Sequence, residues 1–413
     1  MFISTLLVIL ATLVAVPACV FFLEIVAALF LPPRKLPLGL SKGRPQRIAV
    51  LVPAHNESAG LRSTLENIKT QLVKGDRLLV VADNCTDDTA IVALAADAEV
   101  IVRSDPRRSG KAYAIDFGVN HLSLDPPTVV IVIDADCKIV KGTIDQLATT
   151  CMATGRPVQA LNLMTAPDES PLKYHVAEFA WRVKNWVRPL GLKALDLPCQ
   201  LNGTGMAFPW ELIFSSNLDN GSTVEDLRLG LELAQAGSLP LFCPSAGVTS
   251  SFPVSVEGAK TQRKRWEEGH IRLIATAAPR LLFGALGSGN LGLLALTLDL
   301  LVPPLTLLVI LVAGMFFVTA AAAMLGFSST PLIISVASLA AMAIAVLLAW
   351  RKYGRDLLPA RKLLSIAGYI VQKLPLYRQL LSKRAAPVWI RTDRSNTHIV
   401  PDGSIAQQPP VDM

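Results

Sequence analysis

The strongest constraint on this chain is its first segment: Phe2 to Leu31 is apolar except for Ser4, Thr5, Thr12 and Glu24. A helix rises about 1.5 Å per residue, so a run of this length is ample to cross a hydrocarbon core of roughly 30 Å. The pattern predicts a membrane-spanning helix over 1–31. A cleaved signal peptide is the rival reading. It is disfavoured because no basic stretch precedes the run, and because the run exceeds the roughly 7–15 apolar residues of a signal peptide.

Two more apolar stretches, Leu300 to Leu325 and Pro331 to Trp350, are separated only by the turn-like Gly326-Phe327-Ser328-Ser329-Thr330. They predict a helical hairpin. Before them, Leu291–Leu301 is apolar but carries Asp299 and is followed by Pro303-Pro304, which suits an interfacial entry helix that breaks before the bilayer. Leu363 to Leu381 contains Gln372, Lys373, Pro375 and Arg378, and a helix lying on the membrane surface is preferred there over a full span. The composition, 52% hydrophobic and 17% charged, is therefore concentrated at the ends.

Basic residues set the orientation. Arg34, Lys35, Lys42, Arg44 and Arg47 follow the first span, Arg351, Lys352, Arg355, Arg361 and Lys362 follow the hairpin, and the 326–330 turn is uncharged. The positive-inside rule then predicts an integral plasma (inner) membrane protein with its N-terminus outside and its central segment cytoplasmic. The net charge of +7 reads mainly as this topology signal. Lysines and arginines interleaved with aromatics on a soluble face are absent, so nucleic acid is not expected as a partner. The six cysteines (Cys19, Cys85, Cys137, Cys151, Cys199, Cys243) show no metal-ligand spacing and read as reduced, unpaired residues.

The expected organisation is a helix over 1–31, a soluble domain over 45–285, an entry helix and hairpin over 291–350, a basic segment over 351–384, and a partly disordered tail over 385–413. In the soluble domain, apolar runs alternate with helix-period stretches. Strands are predicted at Arg47–Val52, Arg77–Val81, Glu99–Val102 and Val129–Ile133, with helices carrying Leu61, Leu65, Ile68 and Leu72, then Thr86 to Ala96, then Lys111 to Leu122. Repeated βα units rich in Val, Ile and Leu predict an α/β fold with a doubly wound, mostly parallel sheet, whose ligand sits at the carboxyl ends of the strands.

Those ends are rich in carboxylates: Pro53-Ala54-His55-Asn56-Glu57, Asp83-Asn84, Arg103 to Lys111, and Asp134-Ala135-Asp136. No Gly-x-Gly-x-x-Gly or Gly-Lys-Ser/Thr loop follows the first strand, so a nucleotide would have to be held through a metal. Asp134 and Asp136 offer hard oxygen ligands for Mg²⁺ or Mn²⁺ bridging a pyrophosphate.

Val-Pro-Ala-His-Asn-Glu (52–57), Ala-Asp-Asn-Cys-Thr-Asp (82–87), Asp-Ala-Asp (134–136), Val-Glu-Asp (224–226) and Gln-Arg-Lys-Arg-Trp (262–266) occur in this order. Together they resemble the membrane-integrated family-2 glycosyltransferases, such as the cellulose, hyaluronan, chitin and poly-N-acetylglucosamine synthases and ceramide glucosyltransferase. The resemblance implies a GT-A domain over 45–285 and inverting transfer from a nucleotide-sugar donor, UDP-linked, to a saccharide or lipid acceptor, in cell-surface or extracellular polysaccharide synthesis. It implies that Pro53, Ala54, Glu57 and Asp83 hold the nucleoside, although Asn56-Glu57 would equally cap the next helix. It also places Lys111 near the donor, where a solvated loop lysine is the competing reading, and implies Asp136 as the main metal ligand with Asp134 serving both metal and nucleotide.

Asp226, with Glu225 beside it, matches the catalytic base, although Val224 stands where the family usually has Thr. An acidic pair at a helix N-terminus is the bland alternative. Gln262, Arg263 and Arg265 would meet the pyrophosphate, with Arg265 stabilising the leaving group, and Trp266 would floor the acceptor site. A lipid-anchoring basic helix is the competing reading of that motif. Gly203, Thr204 and Gly205 resemble a loop lining the acceptor path. Three confident spans are few for a polymer channel, so single transfer to a lipid acceptor, or a channel completed by a partner subunit, stays open. A transporter would need ionisable or broken-helix sites at mid-membrane, for which only Glu24 and Pro303-Pro304 qualify. A non-catalytic assembly subunit is countered by the occupation of every expected catalytic position.

Overall fold

The computed structural model describes residues 2–32, 44, 47–167, 170–218, 224–253, 255–362 and 368. The predicted segment 363–381 apart from residue 368, the tail from 385 and the basic residues Arg34, Lys35 and Lys42 lie outside them. The chain opens with α1 (Phe2–Phe30), followed by β1 (Ile48–Ala54), α2 (Ser58–Lys69), β2 (Arg77–Asp83), α3 (Thr89–Ala95), β3 (Glu99–Arg103), α4 (Lys111–Leu122) and β4 (Val129–Val132). The four predicted strands and α4 fall where the hydrophobic pattern places them. Helix α3 starts later than predicted because Asp87 closes a turn, accepting from the backbone N–H of Thr89 at 3.0 Å and from that of Ser58, at the start of α2, at 3.2 Å.

Next come β5 (Lys138–Ile139), α5 (Thr143–Thr154), β6 (Val158–Thr165), α6 (Leu172–Arg182), a π-helical turn over Val183–Val187, α7 (Arg188–Ala194), β7 (Met206–Pro209), α8 (Trp210–Phe214), α9 (Glu225–Gln235) and β8 (Leu241–Ser251). Among the described residues the strands form one sheet of order β3-β2-β1-β4-β7-β6-β8-β5. The first half is parallel. Strand β7 runs antiparallel to both β4 and β6, β6 is parallel to β8, and β5 pairs antiparallel with β8.

Both faces are covered. Leu61, Leu65 and Ile68 of α2 and Ile144, Leu147 and Cys151 of α5 pack on one side. Ile115, Val119 and Leu122 of α4 with Leu229 and Leu233 of α9 pack on the other. Burial on both faces accounts for the unbroken runs Ile48–Val52 and Val129–Ile133, all fully buried.

The C-terminal part comprises α10 (Val256–Ser288), α11 (Leu291–Leu300), α12 (Leu305–Met324) and α13 (Thr330–Tyr353). Three described helices, α1, α12 and α13, are long and apolar enough to cross a membrane. Ala18, Phe21 and Ile25 of α1 join Val312 of α12, Met342 and Ala345 of α13, and Val183 and Val187 of the π turn in one core. The α11 helix ends ahead of Pro303-Pro304, as predicted. It buries Leu293, Leu296 and Leu300 against α9 and α10. Part of the basic cluster read as a topology signal is ion-paired: Arg44 with Asp76 at 2.5 Å and with Asp145, and Arg47 with Asp125. Arg351, Lys352 and Arg355 are exposed.

Candidate active site

Two contiguous clefts lie at the carboxyl ends of β1, β2 and β4, where a parallel sheet offers its loops to a ligand. The outer one is lined by Pro53, Ala54, Glu57, Asp83, Lys111, Asp134, Asp136, Gln262 and Arg265. The inner one shares Lys111, Asp134, Asp136, Gln262 and Arg265 and adds Gly203, Thr204, Glu225, Asp226 and Trp266. Residues from five separate motifs thus meet along one groove. The α2 N-terminus carries no side-chain cap from Glu57, because Asp87 takes that role through Ser58. One oxygen of Asp83 accepts from Arg103 at 2.6 Å, and both side chains are almost wholly buried.

Lys111, at the first position of α4, lies between the two carboxylate groups. Its ammonium pairs with Asp134 and donates to the Gly203 carbonyl at 2.5 Å. Burial alone would lower its pKa, but the charges of Asp134, Glu225 and Asp226 outweigh burial and raise it. Glu225 and Asp226 open α9, so their charges also face the positive end of that helix. Glu225 is pushed up to about 7, first by burial and then by the adjacent Asp226 charge, with Lys111 opposing. Asp134, Asp136 and Cys137 each offer a ligand atom, all within 4.8 Å of one another.

The three residues expected along the acceptor path separate. Gly203, at φ +85°, brings its backbone against the base candidate; a Cβ there would stand 3.1 Å from Asp226 Oδ2. Thr204 is buried, and its hydroxyl accepts from the Asp134 backbone N–H at 3.0 Å, so it fixes the loop that carries Asp134 and Asp136. Gly205 lines neither cleft. It is stitched into the sheet, donating to Val132 O at 2.9 Å and accepting from Ala160 N at 2.8 Å. Arg263 also lines neither cleft. Two residues along a helix are about 200° apart, so Arg263 and Arg265 face different sides of α10; Arg263 lines an adjoining apolar cavity.

The motifs missed several wall residues. Trp181 lies beside Trp266, with ring centroids 4.9 Å apart, and its indole donates to Asn162 O at 3.0 Å. Lys184 and Asn185 come from the π turn, and Gln200 and His270 complete the inner wall. His270 Nε2 donates to Leu300 O at 3.0 Å. Burial, and then the Lys184 charge, hold His270 at about 3, so it is neutral. Nothing in the local sequence around 181–185 marks these positions, because a π turn has no composition signature.

Residues 45–269 match the family described as glycosyltransferase like family 2. Relatives include uncharacterized glycosyltransferases of Mycobacterium bovis and Mycobacterium tuberculosis, 36% identical over 122 residues that cover 28% of this chain and 51% of theirs. Glucosyl-3-phosphoglycerate synthase of M. tuberculosis is 38% identical over 96 residues, covering 22% of this chain and 28% of that protein. The chain therefore spans about half, or less, of the length of these relatives.

Among solved structures, a mannosyltransferase from Pyrobaculum calidifontis in complex with GDP-Man and Mn²⁺ is 17% identical with a TM-score of 0.48, covering 84% of this chain and 99% of that one. Glucosyl-3-phosphoglycerate synthase of M. tuberculosis with Mn²⁺ and UDP-Glc is 21% identical with a TM-score of 0.40, covering 59% and 86%. The mixed sheet, covered on both faces and carrying carboxylates at its strand ends, agrees with the GT-A architecture that the motifs imply. With the family match running over residues 45–269 of 413, more than half of the chain, this protein belongs to glycosyltransferase like family 2.

Proposed function

We propose that the protein is a membrane-bound inverting enzyme that moves a sugar from a UDP-linked donor to a hydroxyl of a saccharide or lipid acceptor at the cytoplasmic face, in the synthesis of cell-surface or extracellular polysaccharide. The observation that carries this reading is the convergence of Lys111, Asp134, Asp136, Asp226, Gln262, Arg265 and Trp266 on one inner cleft. On this reading Asp226 takes the proton of the acceptor hydroxyl while its oxygen bonds to the anomeric carbon. The bond from that carbon to the diphosphate breaks, and the diphosphate leaves with the electron pair. Arg265, on the wall between the two clefts, meets the growing negative charge, and Lys111 holds the donor side. The carboxylates of Asp134 and Asp136 suit Mg²⁺ or Mn²⁺, hard cations that prefer oxygen, and such an ion would neutralise the diphosphate. Pro53, Ala54, Glu57 and Asp83 form the nucleoside wall and Trp266 the acceptor floor. Exposed Arg351, Lys352 and Arg355 support the cytoplasmic orientation and contact with membrane lipid.

Single transfer, rather than polymer extrusion through a channel completed by a partner subunit, is favoured by an apolar cavity that adjoins the inner cleft at the membrane helices. Incubating the full chain in native membranes with labelled UDP-sugars, then sizing the product, tests both points. One added sugar on a lipid-soluble product is expected. A long polymer would overturn single transfer, and neither transfer nor donor hydrolysis with any nucleotide sugar would overturn the enzymatic reading.

A further inference from the structure

The inner cleft does not end at Trp266. Trp181, Lys184, Gln262, Trp266 and His270 form a wall shared with a second cavity. Away from that wall the second cavity is mostly apolar, built from Phe21 of α1, Val176, Ala180 and Val183 of the α6 and π segment, and Val302 and Leu305 at the entry to α12, with Arg188, Arg263 and Glu267 as its charged members. Two of the three candidate spans therefore contribute to it. Sharing that wall, the two cavities together reach from the candidate spans to the carboxylates, and the lining changes from mostly apolar to charged along the way.

The shared wall is built by the π turn. Adding a residue to the helical repeat shifts the register, a device often found at functional sites, and here it delivers Lys184 and Asn185 to the cleft. Three cations line the cavity, Lys184, Arg188 and Arg263, and only Lys184 also lines the inner cleft. Arg188 is fully engaged, donating to Glu24 Oε2 at 2.6 Å and also to Asp299. Lys184 has no ion pair or hydrogen bond among the described residues, only its ammonium 5.9 Å from the Trp181 ring centroid. Asn185 is 1% exposed, and neither polar atom of its amide has a hydrogen-bond partner. Leaving such groups unsatisfied is costly, so they mark where a polar ligand group belongs. Burial lowers the Lys184 pKa, and the charges of Asp226, Asp299 and Glu267 only partly offset it.

Resting on the transferase reading above, we infer that the acceptor is an anionic amphiphile: a chain lies in the apolar cavity, a phosphate-type group pairs with Lys184 and Asn185, and the reacting oxygen reaches Asp226. Neither half of the path alone accounts for both features, because a neutral lipid leaves Lys184 unpaired and a soluble saccharide leaves the cavity bare.

The test uses the full chain in nanodiscs with geranylgeranyl phosphate as probe, geranylgeraniol as the uncharged control and inorganic phosphate as the chain-free control. UDP binding is measured in parallel on the wild type. The phosphate ester should bind at least about tenfold more tightly than either control, as a charge-assisted contact added to apolar burial implies. Lys184→Met should remove about that factor for the ester only, Lys184→Arg should restore it, and melting curves check that both variants fold. Equal binding of ester and alcohol, or an unchanged ester affinity in a folded Lys184→Met, would overturn the inference while UDP binding leaves the donor reading standing. Loss of UDP binding in the wild type would count against the donor reading itself.

Discussion

Arg188 donates from Nε to Glu24 Oε2 at 2.6 Å across 164 residues of sequence, joining the first apolar helix to the segment that carries the π turn. Asp299 closes the triad from α11, and all three side chains are at most 6% exposed. Beside them Gly191 lies so close to α1 that a Cβ would stand 1.9 Å from Glu24 O. The first apolar helix and the sheet-bearing part of the chain are therefore packed together at this point.

Removing one member of the triad leaves buried charge uncompensated. Arg188→Met should destabilise the protein by about 3–5 kcal/mol. Gly191→Ala should also destabilise it, because backbone rather than a flexible side chain blocks the added methyl group. Thermal unfolding of the detergent-solubilised chain measures both.

Gly203 sets how closely its loop approaches Asp226. Its φ of +85° and the 3.1 Å from a built Cβ to Asp226 Oδ2 make Gly203→Ala strained at the reaction centre while the sheet stays intact. Sugar transfer should fall at least about tenfold with little change in melting temperature, since a misplacement near 1 Å is enough for a loss of that order or more.

Glu225 provides a pH signature. Burial, reinforced by Asp226, raises its pKa from 4.5 to about 7. The stability contributed by the neutral carboxyl is complete below about 4.5 and is lost as pH rises through about 7. Glu225→Gln stays neutral throughout, so its melting temperature should gain on the wild type above pH of about 7 and lose that advantage below it. Paired melting curves across that range check the sign.

The metal assignment rests on Asp134 and Asp136. Chelation with EDTA should abolish transfer, and excess Mn²⁺ or Mg²⁺ should restore it in the wild type. Asp136→Ala should show no such rescue, whereas Cys137→Ser should retain it, because hard cations take oxygen donors over sulfur. Transfer measured after metal titration reads all three cases.

Much of the fold was legible because its signals are local. Ile48–Val52 and Val129–Ile133 are apolar without interruption since the sheet buries both faces, and Lys111–Leu122 keeps a helical period bounded by Gly110. The motif residues were legible as a set, apart from Gly205 and Arg263, whose directions depend on how β6 and α10 pack. The antiparallel placement of β7 between β4 and β6 is a long-range pairing with no local signature. Lys184 and Asn185 were not legible either, because a side chain's direction after a π turn depends on one extra residue per turn, and the sequence does not announce it.

The central claim is that Asp226 is the base of a nucleotide-sugar transfer, and Asp226→Asn tests it most directly. Side-chain size is kept while the proton acceptor is lost. The account predicts that this variant binds UDP with wild-type affinity, and that transfer of labelled sugar to acceptor falls by about 10²–10⁴-fold. Wild-type-like transfer by Asp226→Asn would contradict it.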